Sequence, residues 1–167
     1  MNPVLFDFTD PHAVTAWHPI NDGVMGGVSS SQLRHEPTGH AVFTGQVSLD
    51  NNGGFASVRC RPGELGRAGV AAYLLRVCGD GKRYKLNLRT DDGFDGINYQ
   101  LQFDPPAGRW TTCRLARADF LATWRGQRVP DAAPLDTAKV RQIGLLIADR
   151  QQGPFELAIQ SIAVEIA

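Results

Sequence analysis

Short runs in which apolar and polar residues alternate one by one dominate this chain, the pattern of half-buried β-strands rather than of helices. In "RYKLNLRT" (83–90), Tyr84, Leu86 and Leu88 fall on one side of an extended chain, and Arg83, Lys85, Asn87 and Arg89 on the other. "INYQLQFD" (97–104) divides the same way, with Ile97, Tyr99, Leu101 and Phe103 set against Asn98, Gln100 and Gln102. "DDGFDG" (91–96) lies between the two runs and has turn composition, so they are predicted to pair as an antiparallel hairpin with one apolar face. Further strands are predicted over 4–8, 27–35, 40–49, 55–60, 70–79, 110–115, 143–149 and 155–166, separated by Gly, Pro, Asn and Asp clusters at intervals that suit a β-sandwich. Helical signals are confined to 10–17, 116–121 and 135–140, each with room for about one or two turns. There is no internal repeat, charge block or low-complexity linker, so one all-β domain over 1–167 is expected.

The turn "EPTG" (36–39) should join strands 27–35 and 40–49 into a hairpin. The segment leading into the first strand, "NDGVMGG", and the segment leaving the second, "DNNGGF", then lie at the same end. That placement would gather Asn21, Asp22, Met25, Asp50, Asn51 and Asn52. Glycine tolerates positive φ, and Asn and Asp bond nearby backbone, so both segments read chiefly as turn architecture. At least one of Gly23, Gly26 and Gly27 is expected at positive φ, with Asp22 accepting backbone N–H bonds. The alternative is a binding site at this end made by Asn21, Asp22, Met25, Asn51 and Asn52.

A second candidate follows from the strand pattern. Phe55, Ser57 and Arg59 alternate onto one face, so Arg59 joins Asn87, Arg89 and Gln100 in a polar strip. An ordinary solvated sheet face is the preferred reading. The alternative is a groove whose Arg and amide groups hydrogen-bond a sugar or a partner's backbone.

Composition narrows the field. With 17 basic and 17 acidic residues the net charge is zero, which removes the electrostatic case for nucleic acid or an anionic membrane surface. No apolar run approaches the ~20 residues of a membrane-spanning helix, so membrane insertion is not expected. The opening "MNPVLFDFTD" has neither a secretory n-region and h-region nor transit-peptide character, and the expected address is the cytoplasm. Cys60, Cys78 and Cys113 are widely spaced within apolar segments and read as buried reduced thiols.

Searches for catalytic chemistry return little. There is no Gly-x-Ser-x-Gly elbow, and "GVMGGVS" lacks the lysine of a phosphate loop. His12, His18, His35 and His40 show no metal-ligand spacing. "DDGFDG" departs from a calcium-binding loop at Gly93 and Gln102 and reads as a turn. Trp110, which opens an alternating strand, is expected in the core. No catalytic residue, cofactor or metal is assigned; an enzyme built around Asp22 is the least favoured reading.

The ordered segments "NDGVMGGVS" (21–29), "FTGQVSLDNNGGFASVR" (43–59), "VCGDGKRYKLNLR" (77–89), "YQLQF" (99–103), "WRGQRV" (124–129), "IGLLI" (143–147) and "GPFELAIQSI" (153–162) resemble the complex I intermediate-associated protein family. The resemblance covers nearly the whole chain. It implies an antiparallel, galactose-binding-like jelly roll with one or two short helices, distantly similar to family 11 carbohydrate-binding modules. It further implies a non-enzymatic, chaperone-like assembly factor whose partner is a protein or assembly intermediate, with glycan binding on the polar sheet face as the alternative. Jelly rolls of this kind often hold a structural Ca²⁺ near the first and last strands. Asp7 matches one acidic ligand, but Gln160 stands where relatives carry Asp, so no metal is predicted.

Overall fold

"GPFELAIQSIAVEI" alternates apolar and polar positions along most of its length, and as one extended strand it organises half of the molecule. The computed structural model describes residues 2–21 and 28–167, which contain thirteen strands. They are β1 (Val4–Asp7), β2 (Trp17–Pro19), β3 (Ser30–Glu36), β4 (His40–Val47), β5 (Ala56–Cys60), β6 (Val70–Cys78) and β7 (Tyr84–Arg89). They continue with β8 (Asn98–Phe103), β9 (Trp110–Ala116), β10 (Leu121–Trp124), β11 (Gln127–Arg128), β12 (Gln142–Ile147) and β13 (Gly153–Ile166).

One edge of β13 pairs first with β4, from Gly153↔Val47 to Ile159↔Ala41, and then with β1, from Asp7↔Ser161 to Val4↔Ala163. Its other edge pairs with β6, and a register shift between Ile159 and Ser161 marks a bulge. The first sheet runs β3-β4-β13-β6-β9, with β1 beside β13; the second runs β11-β10-β8-β7-β12-β5-β2. All the strand pairings are antiparallel. This is the expected β-sandwich.

The two sheets meet through their apolar faces. Phe43 and Phe155 from the first sheet touch Tyr84 from the second, with ring centroids 6.1 and 6.4 Å apart. Leu75, Leu157 and Ile159 face Leu86, Leu88, Ile143 and Leu145 in the same fully buried cluster. Burial of this alternating apolar set fixes which face of each strand points inward, because a one-residue slip would turn it out to water.

Both predicted hairpins form, Glu36↔His40 closing one and Tyr84↔Phe103 running along the other. The three helical signals become 3-10 turns at Pro11–Ala16, Arg117–Asp119 and Thr137–Lys139; Asp10 and Asp136 cap the first and last. The short β2, β10 and β11 carry too few residues to show a period, and sheet pairing places them. Trp110 departs from expectation. It is 37% exposed and lies against the His40 ring, 5.3 Å between centroids, because Cys113 and Leu115 take the inward positions of β9. Of the three thiols, Cys60 is buried, whereas Cys78 and Cys113 are half-buried. Among the described residues no helix is long and apolar enough to cross a membrane.

Leu157, fully buried at the centre of β13, tests this account of the core. Leu157→Ala should cost about 2–5 kcal/mol through lost burial and the cavity left behind. The expected readout is a lower denaturant midpoint with an unchanged slope.

Candidate functional site

The pleat that points Tyr84, Leu86 and Leu88 into the core sends Lys85 and Asn87 outward, and the registers of the second sheet align such positions into rows. One row runs His18, Arg59, Gly144, Asn87, Gln100, Leu121 across six strands. Arg89 follows one pleat further along β7, opposite Gln142 of β12. The four strip residues, Arg59, Asn87, Arg89 and Gln100, therefore share one face of one sheet. The face is not a plain solvated one.

The β7–β8 turn, 91–96, folds back over this face. Backbone carbonyls in such a turn need donors, and the strip provides them. Arg89 Nη1 and Arg59 Nη1 both donate to the Phe94 carbonyl, at 2.8 and 3.0 Å. Gln142 Nε2 donates to the carbonyls of Asp91 and Gly93, at 2.8 and 2.9 Å. The turn's carboxylates are taken too: Asp91 by Arg89 (3.1 Å), Asp92 by Arg141 (2.8 Å) and Asp95 by Arg125. Gly96 fits because a Cβ there would run into the Asp91 carboxylate and the Arg89 guanidinium. Arg89 ends up only 2% exposed beneath the turn. Gln100 Nε2 donates to Asn87 Oδ1 at 2.8 Å.

The docked turn holds Phe94 59% exposed, with the Arg59 guanidinium 5.5 Å from its ring centroid. Trp124 of β10 is 44% exposed, its Nε1 donating to the Asp95 carbonyl at 3.1 Å and the Arg125 guanidinium 4.7 Å from its ring. Partial burial, and then the neighbouring Arg89 charge, push the Arg59 guanidinium down to about 10. Hydrogen bonds from Arg141 and Arg125 hold Asp92 and Asp95 below the ordinary carboxylate range. Phe94 and Gln142 were missed as candidates. The available signal was a lone aromatic among the acids and glycines of "DDGFDG".

The other candidate lies where the two sheets meet. Asn21 Oδ1 accepts from Ser31 Oγ (2.6 Å) on β3 and from the Ser57 amide (3.0 Å) on β5, so one side chain ties the two sheets together. Ser57 Oγ in turn donates to the Ile20 carbonyl. Ser57 is two residues from Arg59 on the same side of β5, which places Asn21 at the border of the polar face. Asp22 and Met25, with Gly23, Gly26 and Gly27, lie outside the described residues. Asp50–Asn52 forms a 3-10 turn with the exposed Asn51 in the left-handed region at φ 55°; Asn52 belongs to that turn. The hairpin end is held by Ser29 Oγ, which accepts from the Ser48 amide at 2.9 Å.

The calcium ligands implied by the resemblance can be tested for fit. Asp7 pairs opposite Ser161, and the Phe8 amide donates to the Gln160 carbonyl at 2.9 Å, so positions 7 and 160 do adjoin. The Asp7 carboxylate, however, accepts from the Thr9 amide and hydroxyl at 3.0 and 2.6 Å, and Gln160 brings no charge. Among the described residues no group of three or more His, Cys, Asp or Glu is placed to hold a metal. The donor set does not fit a divalent cation.

Two outcomes are expected. Asn21→Ala should cost about 1–3 kcal/mol, since it strands the partly buried Ser57 amide, and should appear as a lower melting temperature. The pH response follows from Asp92 and Asp95. Their folded-state pKa values lie below 3.8, so their contribution is present above that value and is lost as pH falls through the lower folded values. The Trp124 indole N–H resonance should therefore hold its docked position down to about pH 4 and move only below it. Movement between about pH 5 and 7 would contradict this origin.

Relatives can now be compared. A relative from Drosophila melanogaster, "Complex I intermediate-associated protein 30, mitochondrial", is 27% identical over 187 residues, covering 97% of this chain and 62% of its own length. The protein of the same name from Neurospora crassa is 25% identical over 199 residues, covering 95% of this chain and 71% of its own. Both are named as mitochondrial, which overturns the cytoplasmic address expected from the sequence. Among solved structures, the family 11 carbohydrate-binding module of Clostridium thermocellum in complex with a β-1,3-1,4-mixed-linked tetrasaccharide superposes with a TM-score of 0.72 at 16% identity, covering 99% of this chain and 96% of that one. That likeness establishes the jelly-roll fold and nothing more. The model of the complex I intermediate-associated protein 30 family matches residues 6–159, and this chain belongs to that family.

Proposed function

We propose that this chain is a non-enzymatic binding module that associates with a protein assembly intermediate, as the name of its relatives describes. The observation that carries the reading is the family match over 6–159. The chemistry of the polar face agrees with it. A sugar site needs free donors and acceptors, whereas Arg89, Gln142, Asn87 and Gln100 are bonded to the protein's own turn or to one another. What the face offers outward is the Phe94 ring, on a turn held by hydrogen bonds, and the Trp124 ring, whose indole N–H is bonded to that turn; aromatic residues are enriched in protein–protein contacts. Exposed Trp124 and Phe94 also support carbohydrate stacking as a second reading.

The test is to tag the chain in its source cell and resolve native complexes. It should co-migrate with an intermediate containing complex I subunits, and cells lacking it should accumulate less of the mature complex. A chain that migrates alone, with complex I assembled normally in its absence, would overturn the proposal. Retardation in a gel containing mixed-linked glucan would favour the second reading.

A further inference from the structure

We infer that Arg59, with the Phe94 ring against it and Trp124 bonded to the same turn, is the docking point for an acidic, partly apolar segment of a protein partner; the inference rests on the protein-binding reading above. Charge on this face is matched almost residue by residue. Asp91, Asp92 and Asp95 each have an arginine of their own. Arg59 has no carboxylate within ion-pair distance among the described residues, and its hydrogen bond there is to the Phe94 carbonyl. It nevertheless stands partly buried beside a second guanidinium, Arg89, an arrangement that disfavours its charge. An incoming carboxylate would relieve that repulsion and satisfy the fork of N–H groups that the Phe94 carbonyl leaves open. A neutral sugar would not.

Shape agrees with charge. Next to Arg59 in the row stands Gly144, itself buried, so what stands out from this part of the face is the turn above it, with Phe94 59% exposed. Phe94 sits on a turn pinned by bonds to four backbone carbonyls, those of Asp91, Gly93, Phe94 and Asp95, the last accepting from Trp124 of β10. The rings are thus held in place before any partner arrives, which lowers the ordering cost of binding. The occupant that fits places a carboxylate at Arg59 and apolar side chains on the two rings.

Titration of ¹⁵N-labelled protein with a capped peptide of alternating glutamate and leucine tests this, read at the Trp124 indole N–H. Saturable shifts are expected by about 5 mM peptide, above the ~1 mM range of weak sites. They should fade with added salt and weaken at least about fivefold in Arg59→Gln, with Phe94→Ala as a second variant. An unmoved Trp17 indole resonance shows that each variant is folded. The surface is overturned if the glutamine–leucine peptide shifts Trp124 equally, if Arg59→Gln binds as well as the wild type, or if only the mixed-linked tetrasaccharide produces shifts. The same variants in the tagged-chain experiment separate the two ideas. An intermediate captured equally by wild type and Arg59→Gln overturns the surface alone, whereas a wild-type chain that shifts with peptide but captures no complex I subunit overturns the functional reading alone.

Discussion

Two guanidiniums, Arg89 and Arg59, converge on one backbone carbonyl, that of Phe94, and the chemistry of the whole outer face follows from this. A turn laid back on a sheet buries polar backbone that water can no longer serve, so the sheet must supply donors. Arg89 and Gln142 do so from beneath, and burial of Arg89 is tolerable because the Asp91 carboxylate and the Phe94 carbonyl both face it. With its backbone satisfied from below, the turn has no further use for its aromatic ring, and Phe94 is left facing water. The exposed ring is thus a product of how the turn is anchored, and the indole N–H of Trp124 adds a further bond to that turn at the Asp95 carbonyl.

Period-two alternation is a local signal, and what it governs was legible. Tyr84, Leu86 and Leu88 are inward as read, and the 36–39 and 91–96 turns close the expected hairpins. Membership of the polar strip was legible for the same reason, because side-chain parity within a strand needs no knowledge of its neighbours. What lay over the strip was not. Nothing in "DDGFDG" says that the turn folds back, since that depends on Gln142 and Arg59, which are distant in sequence and adjacent only through the strand order β7-β12-β5. Trp110 failed on parity at a strand end, where a one-residue uncertainty decides between core and surface. The address failed for another reason: it was argued from the composition of the first ten residues and was overturned by how relatives are named.

Asn21 shows how a residue chosen as a possible ligand contact can be explained by the scaffold. Its amide oxygen takes one donor from each sheet, and each of those donors lies where a strand of one sheet passes a strand of the other. A side chain with no acceptor oxygen at that reach could not serve both. The glycine-rich segment that follows it therefore begins from a fixed point, whatever its own conformation.

A shared jelly roll with a glucan-binding module makes the outer sheet face a natural place to look for a ligand, but a fold does not carry its ligand with it. What decides is whether the polar groups on the face are available. In a sugar site they must be open to hydroxyls; here the amides of Asn87 and Gln100 close on each other, and Arg89 and Gln142 close on the turn. Those bonds take up part of the hydrogen-bonding capacity at the centre of the face. They leave unmatched positive charge at Arg59 beside two exposed rings, a combination that favours a ligand bringing both a carboxylate and apolar surface. The same set of contacts that anchors the turn thus decides which polar groups of the face remain open to a ligand.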